Sequence, residues 1–276
     1  MRYNLADLHT HSFCSDGLRT PTQAAEEACE AGVQALSLTD HDTVEGVEEL
    51  LQAGERLGVE VVPGAEMSAH VKEREVHILA YCLDWRDERL GQHLDLLRRR
   101  RHDRGVAIVE RLNDLGIEIS VEDVMSQASG GLVGRPHIAA AMVQSGVVAN
   151  KEEAFNRYLG DRAPAVVAKP YNGAEDVIGL IHSVGGVAVL AHPGNSVSEH
   201  LVAELVGSGL DGLEVYHPAH LPHHIEHYSG LAEKYDLLQT GGSDSHGEPT
   251  GTRIGDYGIG CEAVEALKSR AATYVH

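Results

Sequence analysis

Short apolar runs alternate with amphipathic stretches over most of the chain. The runs that have the length and composition of buried strands cover residues 3–8, 35–38, 59–62, 76–83, 187–191, 212–215 and 237–239. The stretches with helical spacing between them cover residues 22–31, 44–57, 174–183, 197–207 and 225–235. This alternation predicts a parallel sheet whose functional residues lie at the carboxyl ends of the strands.

The alternation stops between residues 87 and 166. Four helical stretches replace it. The first runs to about residue 115, and the others cover 121–127, 137–145 and 151–159. Neither flank alone has enough strands to close a sheet on itself. We therefore predict an α/β fold in which residues 1–86 and 167–276 form one barrel domain. Residues 87–166 are predicted to form an inserted helical subdomain that contributes to the substrate cleft.

The composition narrows the class of protein. With 42% hydrophobic residues among 276, the chain can bury a sizeable core. It has 22 lysine and arginine residues against 42 aspartate and glutamate residues, which gives a net charge of −20. That acidity disfavours a long nucleic acid as a partner. No apolar run approaches the roughly 18 residues that span a bilayer, and the first residues lack the apolar segment of a signal peptide, so we expect a cytoplasmic protein without a membrane partner. An oligomeric state does not follow from the sequence.

Histidine is unusually abundant, with 18 residues, and imidazole is the commonest metal ligand. His9 and His11 end the first apolar run, and residues two apart on a strand point to the same side, so both can face one ion. Two histidines at this spacing, taken by themselves, are weak evidence for a metal site. It gains weight because further histidines and carboxylates follow the other predicted strands.

The full set of candidate ligands comprises His9, His11, Asp16, His41, Glu66, His77, His192, Asp244 and His246. Each one alone could be a core histidine or a helix cap, but a shared metal site explains their positions together. His77 departs from the pattern because it lies early in its run. The donors are nitrogen and oxygen without thiolate, which favours Mn²⁺, with Fe²⁺ or Zn²⁺ as alternatives. The set suits two or three bridged ions, and three ions with three carboxylates leave about three positive charges, which suits a phosphate.

These segments resemble the PHP (polymerase and histidinol phosphatase) family. The matching motifs are Asp7-Leu8-His9-Thr10-His11-Ser12, Ser15-Asp16-Gly17, Thr39-Asp40-His41-Asp42, Gly64-Ala65-Glu66, His77-Ile78-Leu79, Ala191-His192-Pro193-Gly194 and Gly242-Ser243-Asp244-Ser245-His246. The resemblance implies a distorted seven-stranded β/α barrel that holds a trinuclear cluster. In the arrangement that it implies, His9, His11, Glu66 and Asp244 hold the first ion. Glu66, His77 and His192 hold the second, with Glu66 as the bridge. Asp16, His41 and His246 hold the third.

Within the family, the helical insertion and the segment Arg135-Pro136-His137 are similar to stand-alone bacterial phosphoesterases that act on nucleoside 3′,5′-bisphosphates or on 5′-phosphorylated RNA ends. This implies that Arg135, His137 and Lys169 contact phosphate. The stretch from Glu214 to His220 is similar to a family motif, and His220 is the preferred site histidine there. Arg135 as a helix cap and Lys169 as a surface residue are the competing interpretations.

The resulting hypothesis is a metal-dependent phosphoesterase in which a metal-bound hydroxide attacks phosphorus, with the 3′-phosphate of a nucleoside bisphosphate as the preferred substrate. The sequence does not identify the proton donor. The alternatives are a 5′→3′ exonuclease on short 5′-phosphorylated RNA, a histidinol-phosphate phosphatase, an amidohydrolase and a metal-binding module without activity.

Overall fold

The computed structural model describes residues 4–127, 134–160, 163–168, 170–195 and 197–274. The chain divides into two compact units. The first comprises Met1–Phe13, Gly17–Gln92 and Tyr171–His276, and the second comprises Cys14–Asp16 and His93–Pro170. Lys169, one of the expected phosphate contacts, lies outside the described residues.

The strands of the first unit form two sheets. In chain order they are β1 (Leu5–Thr10), β2 (Ala35–Leu38), β3 (Glu60–Val61), β4 (Gly64–Val71), β5 (Arg74–Tyr81), β6 (Val187–Leu190), β7 (Gly212–Tyr216), β8 (Leu238–Gly241) and β9 (Ile259–Gly260). One sheet has the order β3-β2-β1-β9, and the other has the order β4-β5-β6-β7-β8. The mixed α/β class expected from the sequence is confirmed.

Two features of the sheets correct the sequence analysis. The short predicted strand at 59–62 is followed at once by β4, an eight-residue strand that the apolar pattern did not reveal. The second sheet is also not wholly parallel, because β5 runs antiparallel to both β4 and β6. A two-residue turn joins β4 to β5, and a hairpin of this length can connect only antiparallel strands.

Single bridges link the two sheets. Thr10 at the end of β1 forms a parallel bridge with Ser245, beyond β8, and His41 beyond β2 forms one with Glu66 on β4. The two sheets themselves are open, so closure into a seven-stranded barrel stays a prediction.

The helices lie close to the predicted positions, except that the last one was not predicted. They are α1 (Pro21–Ala31), α2 (Val47–Leu57), α3 (Glu88–Asp114), α4 (Val121–Gln127), α5 (Arg135–Gln144), α6 (Lys151–Ala154), α7 (Ala174–Ser183), α8 (Glu199–Gly207), α9 (Pro222–Tyr235) and α10 (Glu262–Ala271). The stretch predicted as one helix at 151–159 is only α-helical as far as Ala154, and it continues as a π-helical turn over Phe155–Leu159. No described helix combines the length and the apolar composition needed to cross a membrane.

Each unit has its own apolar core. In the first, Leu36 and Leu38 on β2 pack against small residues of α1 and against Leu50 of α2. In the second, Ile108 and Leu112 of α3 belong to a cluster of buried side chains contributed by the helices that follow. A fully buried aliphatic side chain contributes about 1.5–3 kcal/mol, so the core of the first unit holds the strands of that unit in fixed positions.

Candidate metal centre

The Glu66 carboxylate lies at the middle of a group of imidazoles. Glu66 is 1% exposed on β4, and two histidine nitrogens approach its Oε1, His77 Nδ1 at 2.6 Å and His192 Nε2 at 2.9 Å. Its Oε2 faces three others, His41 Nδ1 at 3.2 Å, His9 Nε2 at 3.3 Å and His11 Nε2 at 3.4 Å. The two carboxylate oxygens therefore divide the histidines into two sets.

Charge at this position is stabilised in the folded protein. Burial alone raises the pKa of the Glu66 carboxyl, but the surrounding histidines, with His41 and His77 first among them, together outweigh burial and hold that pKa well below its ordinary value. Glu66 is thus an ionised carboxylate buried among nitrogen donors.

His9 and His11 project from β1 to the same side, as their spacing predicted. Their Nε2 atoms lie 3.2 Å apart, and Asp244 Oδ1 lies 3.4 Å from the first and 3.0 Å from the second. Two nitrogen lone pairs and a carboxylate oxygen that converge in this way match the demands of a divalent ion.

The rings of His41 and His246 both stack against the ring of His11. The centroid of the His11 ring is 4.8 Å from that of His41 and 4.2 Å from that of His246. Asp16, the carboxylate expected to join them, belongs to the second unit. Its place beside these histidines stays a prediction.

The donor set contains several groups that could each hold a metal ion. Within the first unit, ligand atoms within 4.8 Å of one another occur in the groups His9–His11–Asp244, His9–Glu66–His192, His41–Glu66–His77 and His9–Glu214–His217. All of these donors are imidazole nitrogens or carboxylate oxygens, the chemistry of Mn²⁺, Fe²⁺ and Zn²⁺ catalytic sites. The overlap of the groups at His9 and Glu66 is the arrangement expected where ions share ligands.

Two of the candidate ligands sit on strained backbone. His192 has φ 25° and Asp244 has φ 49°, values that L-residues rarely adopt. Such conformations cost about 1–3 kcal/mol each and persist only where the surroundings enforce them. The loop that carries Asp244 also passes so close to β1 that a Cβ at Gly242 would collide with His9, so glycine is required there.

Buried carboxylates hold the loops of the centre in place. Asp40 accepts hydrogen bonds from the backbone N–H and the hydroxyl of Ser12, both at 2.7 Å. Asp7 accepts from the backbone N–H groups of Ser243 and Gly255, each at 2.9 Å, although burial raises its pKa to about 6. The Asp40 contacts join the segments that follow β1 and β2, and the Asp7 contacts tie β1 to the segment that follows β8.

The sequence analysis did not place Glu214 or His217 in the site. Glu214 Oε1 accepts from His9 Nδ1 at 2.9 Å, and His217 Nε2 lies 3.2 Å from Asp244 Oδ2. The available signal was a charged residue inside a buried apolar strand, together with a histidine directly beyond the end of that strand.

His220, which was preferred over His217, lies in a different environment. Its Nδ1 donates to the carbonyl of Val215 at 2.8 Å, and its Nε2 accepts from the N–H of Gly194 at 3.1 Å. Burial lowers the pKa of the His220 imidazole, which fits a neutral ring held by these two backbone groups. Its role as a substrate contact stays a prediction.

Arg135 and His137 have local partners within the second unit. Arg135 donates to the carbonyl of Leu159 at 3.1 Å, and its guanidinium lies 5.9 Å from the centroid of the Phe155 ring. His137 Nδ1 accepts from the N–H of Gly134 at 3.1 Å, which caps the start of α5. Phosphate contacts by these residues stay predictions.

Comparison with known proteins gives a family match over most of the chain. A family model described as the PHP domain matches residues 7–238. A 5′-3′ exoribonuclease of Haemophilus influenzae is 33% identical over 246 residues, which are 87% of this chain and 89% of that protein. A phosphoribosyl 1,2-cyclic phosphate 1,2-diphosphodiesterase of Eggerthella lenta is 36% identical over 249 residues, 88% of this chain and 95% of that protein.

A 3′,5′-nucleoside bisphosphate phosphatase of Chromobacterium violaceum is 31% identical over 253 residues, 90% of this chain and 89% of that protein. Among solved structures, one described as a metal-dependent phosphoesterase of Bifidobacterium adolescentis superposes with a TM-score of 0.89 at 32% identity, covering 96% of both chains.

Proposed function

This chain belongs to the PHP domain family, and from that premise we propose that it hydrolyses the 3′-phosphate monoester of nucleoside 3′,5′-bisphosphates. The family resemblance drawn from the sequence is confirmed, and the chain is a metal-dependent phosphoric ester hydrolase. The observation that carries the proposal is the buried Glu66 carboxylate, with histidines divided between its two oxygens.

We assign the ligands of three divalent ions, with Mn²⁺ as the preferred metal. His9, His11 and Asp244 with Glu66 Oε2 form one site, and His77 and His192 with Glu66 Oε1 form the second. The division of the histidines between the two oxygens supports this assignment. The third site comprises His41, His246 and Asp16. The proximity of the His11, His41 and His246 rings supports the part of it that lies in the first unit.

Metal ions bound there would supply a water of lowered pKa and neutralise charge on the phosphoryl group. The residues of the chain have separate tasks. Glu66 and Asp244 provide the negative charge that balances the ions, and the imidazoles fix their positions. Arg135 and Lys169 hold the second phosphate, where a planar fork and a mobile ammonium complement a dianion.

We also propose that the strands of the first unit close into a barrel. The bridges Thr10–Ser245 and His41–Glu66 support this, because they join β1 to the end of β8 and β2 to β4. The ring β1-β2-β4-β5-β6-β7-β8 would then comprise seven strands. Barrel closure brings the carboxyl ends of the parallel strands to one rim, where the candidate ligands lie.

Exonuclease action on short 5′-phosphorylated RNA is the second candidate. It is favoured by the relative in Haemophilus influenzae, which is named for that activity. The chemistry at phosphorus is almost the same, and the acidic net charge restricts such a substrate to short lengths.

A substrate panel tests the proposal. Protein loaded with Mn²⁺ would be assayed for phosphate release from adenosine 3′,5′-bisphosphate, histidinol phosphate and a 5′-phosphorylated trinucleotide. Ring opening of a cyclic phosphodiester would be followed in parallel. The proposal expects the highest kcat/KM for the bisphosphate and inhibition of RNA cleavage by the bisphosphate. A higher kcat/KM for the trinucleotide would favour the exonuclease, and turnover of the cyclic diester alone would contradict both.

A further inference from the structure

We propose that Glu214 is a positioning residue that fixes one ligand in each of two metal sites at once. The inference rests on the proposed function, because it concerns His9 and His192, which we assign to different ions. Glu214 lies on β7 and is fully buried, with 0% exposure. It is absent from the ligand set that the sequence predicted.

One oxygen of Glu214 orients the ring of His9. Its Oε1 lies 2.9 Å from His9 Nδ1, while His9 Nε2 points the other way, 3.3 Å from Glu66 Oε2. A proton on Nδ1, held by Glu214, leaves the lone pair of Nε2 available for a metal ion. A carboxylate in this position commonly fixes the tautomer and the direction of a metal-bound imidazole.

The other oxygen holds the backbone of His192. Glu214 Oε2 accepts from the His192 N–H at 2.7 Å, and His192 has the left-handed φ of 25°. A charged acceptor strengthens such a hydrogen bond, and here it helps to stabilise a conformation that is costly for a non-glycine residue. The His192 side chain then reaches Glu66 Oε1, with its Nε2 at 2.9 Å.

Both groups that contact Glu214 are donors. A carboxylate offers an acceptor to each, whereas the amide of glutamine offers one oxygen and turns its NH₂ group toward the other donor. Glu214→Gln therefore loses one of the two contacts outright and the negative charge that strengthens the other, with almost no change of volume. We expect the affinity for metal to fall at both sites, since each relies on a ligand that Glu214 orients.

Asp211 provides a matched control. It directly precedes β7 and is 1% exposed. Its Oδ2 accepts from His182 Nε2 on α7 at 2.8 Å and from the Ala188 N–H on β6 at 2.9 Å, and its Oδ1 accepts from Arg270 at 2.9 Å and from the Tyr274 hydroxyl at 2.7 Å. None of these partners is a candidate ligand. Asp211→Asn thus removes a buried carboxylate charge, held by more donors than Glu214, from the same part of the sheet without touching the metal centre.

The experiment compares metal-free wild type, E214Q and D211N by calorimetric titration with Mn²⁺ and by thermal unfolding with and without Mn²⁺. The inference expects E214Q to bind Mn²⁺ roughly 10- to 100-fold more weakly and to lose most of the metal-induced rise in Tm. D211N should keep the wild-type affinity even though its metal-free Tm falls. If E214Q does not fold, Glu214→Asp takes its place, because its shorter carboxylate cannot reach both partners.

The experiment distinguishes failure of this inference from failure of the proposed function. If the wild type binds Mn²⁺ and E214Q binds it equally well, the inference is wrong while the proposed function stands. Equal losses of affinity in E214Q and D211N would also overturn it, because the effect would then follow stability alone. A wild-type protein that binds no divalent ion would overturn the proposed function and the inference together.

Discussion

His77 Nδ1 lies 2.6 Å from Glu66 Oε1, although the two residues belong to neighbouring strands that run in opposite directions. The reversal explains why a candidate ligand occurs near the start of a strand. Ile78, the next residue, pairs with Leu190 at the end of β6, so the beginning of β5 lies level with the carboxyl end of its neighbour. His77 therefore reaches the same rim as His192, which follows β6.

Replacement of His77 tests its assignment as a ligand. We expect His77→Ala to reduce the Mn²⁺ content measured by elemental analysis and to lower kcat/KM on adenosine 3′,5′-bisphosphate by more than about 100-fold. The reason is that loss of a direct ligand should exceed the effect of an outer contact. His70→Ala is the control, because His70 lies on the same hairpin and contacts Tyr171 and Asn172 instead of the centre. Unchanged metal content in His77→Ala would refute the assignment.

Metal removal should lower the stability of the protein. An ion that binds only the folded state at 100 times its Kd adds about 2.7 kcal/mol, which corresponds to a rise in Tm on the order of 5–10 °C. We expect the Tm to increase with Mn²⁺ and to return to the starting value after chelation, as followed by differential scanning fluorimetry. A Tm that is independent of Mn²⁺ would be inconsistent with a folded-state metal centre.

The Asp211 network predicts a dependence of stability on pH. Burial raises the pKa of Asp211, but four hydrogen bonds to its carboxylate together outweigh burial and lower the pKa below its ordinary value. They come from His182, the Ala188 N–H, Tyr274 and Arg270. The unfolded state therefore binds the proton more tightly. The contribution of Asp211 is complete above its unfolded pKa, about 3.9, and is lost as the pH falls through the lower folded pKa.

We accordingly expect Asp211→Asn to reduce the free energy of unfolding by about 2–4 kcal/mol at neutral pH. The difference from wild type should shrink below about pH 4. Urea unfolding at several pH values measures this difference. If the difference in unfolding free energy between wild type and Asp211→Asn increased as the pH fell, the predicted direction of the pH dependence would be wrong.

Arg135 tests the proposed contact with the second phosphate. Removal of a charged hydrogen-bond donor should cost about 1.5–3 kcal/mol, so Arg135→Ala should lower kcat/KM on adenosine 3′,5′-bisphosphate roughly 10- to 100-fold. Activity on a nucleoside monophosphate should change much less. Arg135 also donates to the Leu159 carbonyl, so Arg135→Lys and the Tm of both variants control for misfolding of the second unit. Equal losses on both substrates would contradict the contact.

The hydrophobic periodicity of the sequence located most of the helices and strands. It failed where the burial of an element is decided by the topology of the fold and not by the local sequence pattern. The common direction of His9, on β1, and His11, directly after it, could be predicted because alternate residues of an extended chain share a face. The strand β4 was missed because its sequence, GAEMSAHV, mixes small, polar and charged residues, although almost all of it is buried. Its burial comes from pairing with β5 and packing against α7, which is a tertiary effect.

The distinction between His217 and His220 could not be made from the sequence. Both follow β7 within a few residues, and only the path of the loop decides that His217 reaches Asp244 while His220 turns to the backbone of Val215 and Gly194. The roles of Glu214 were equally hidden, because its partners lie 205 and 22 residues away along the chain.

The most direct test of the account is phosphate release from adenosine 3′,5′-bisphosphate by three samples assayed side by side: wild type with Mn²⁺, wild type with chelator, and Glu66→Gln with Mn²⁺. The account predicts rapid release only in the first sample, with Glu66→Gln reduced by more than about 100-fold and depleted of metal. Equal release by the chelated or the Glu66→Gln protein would contradict a metal centre built around Glu66.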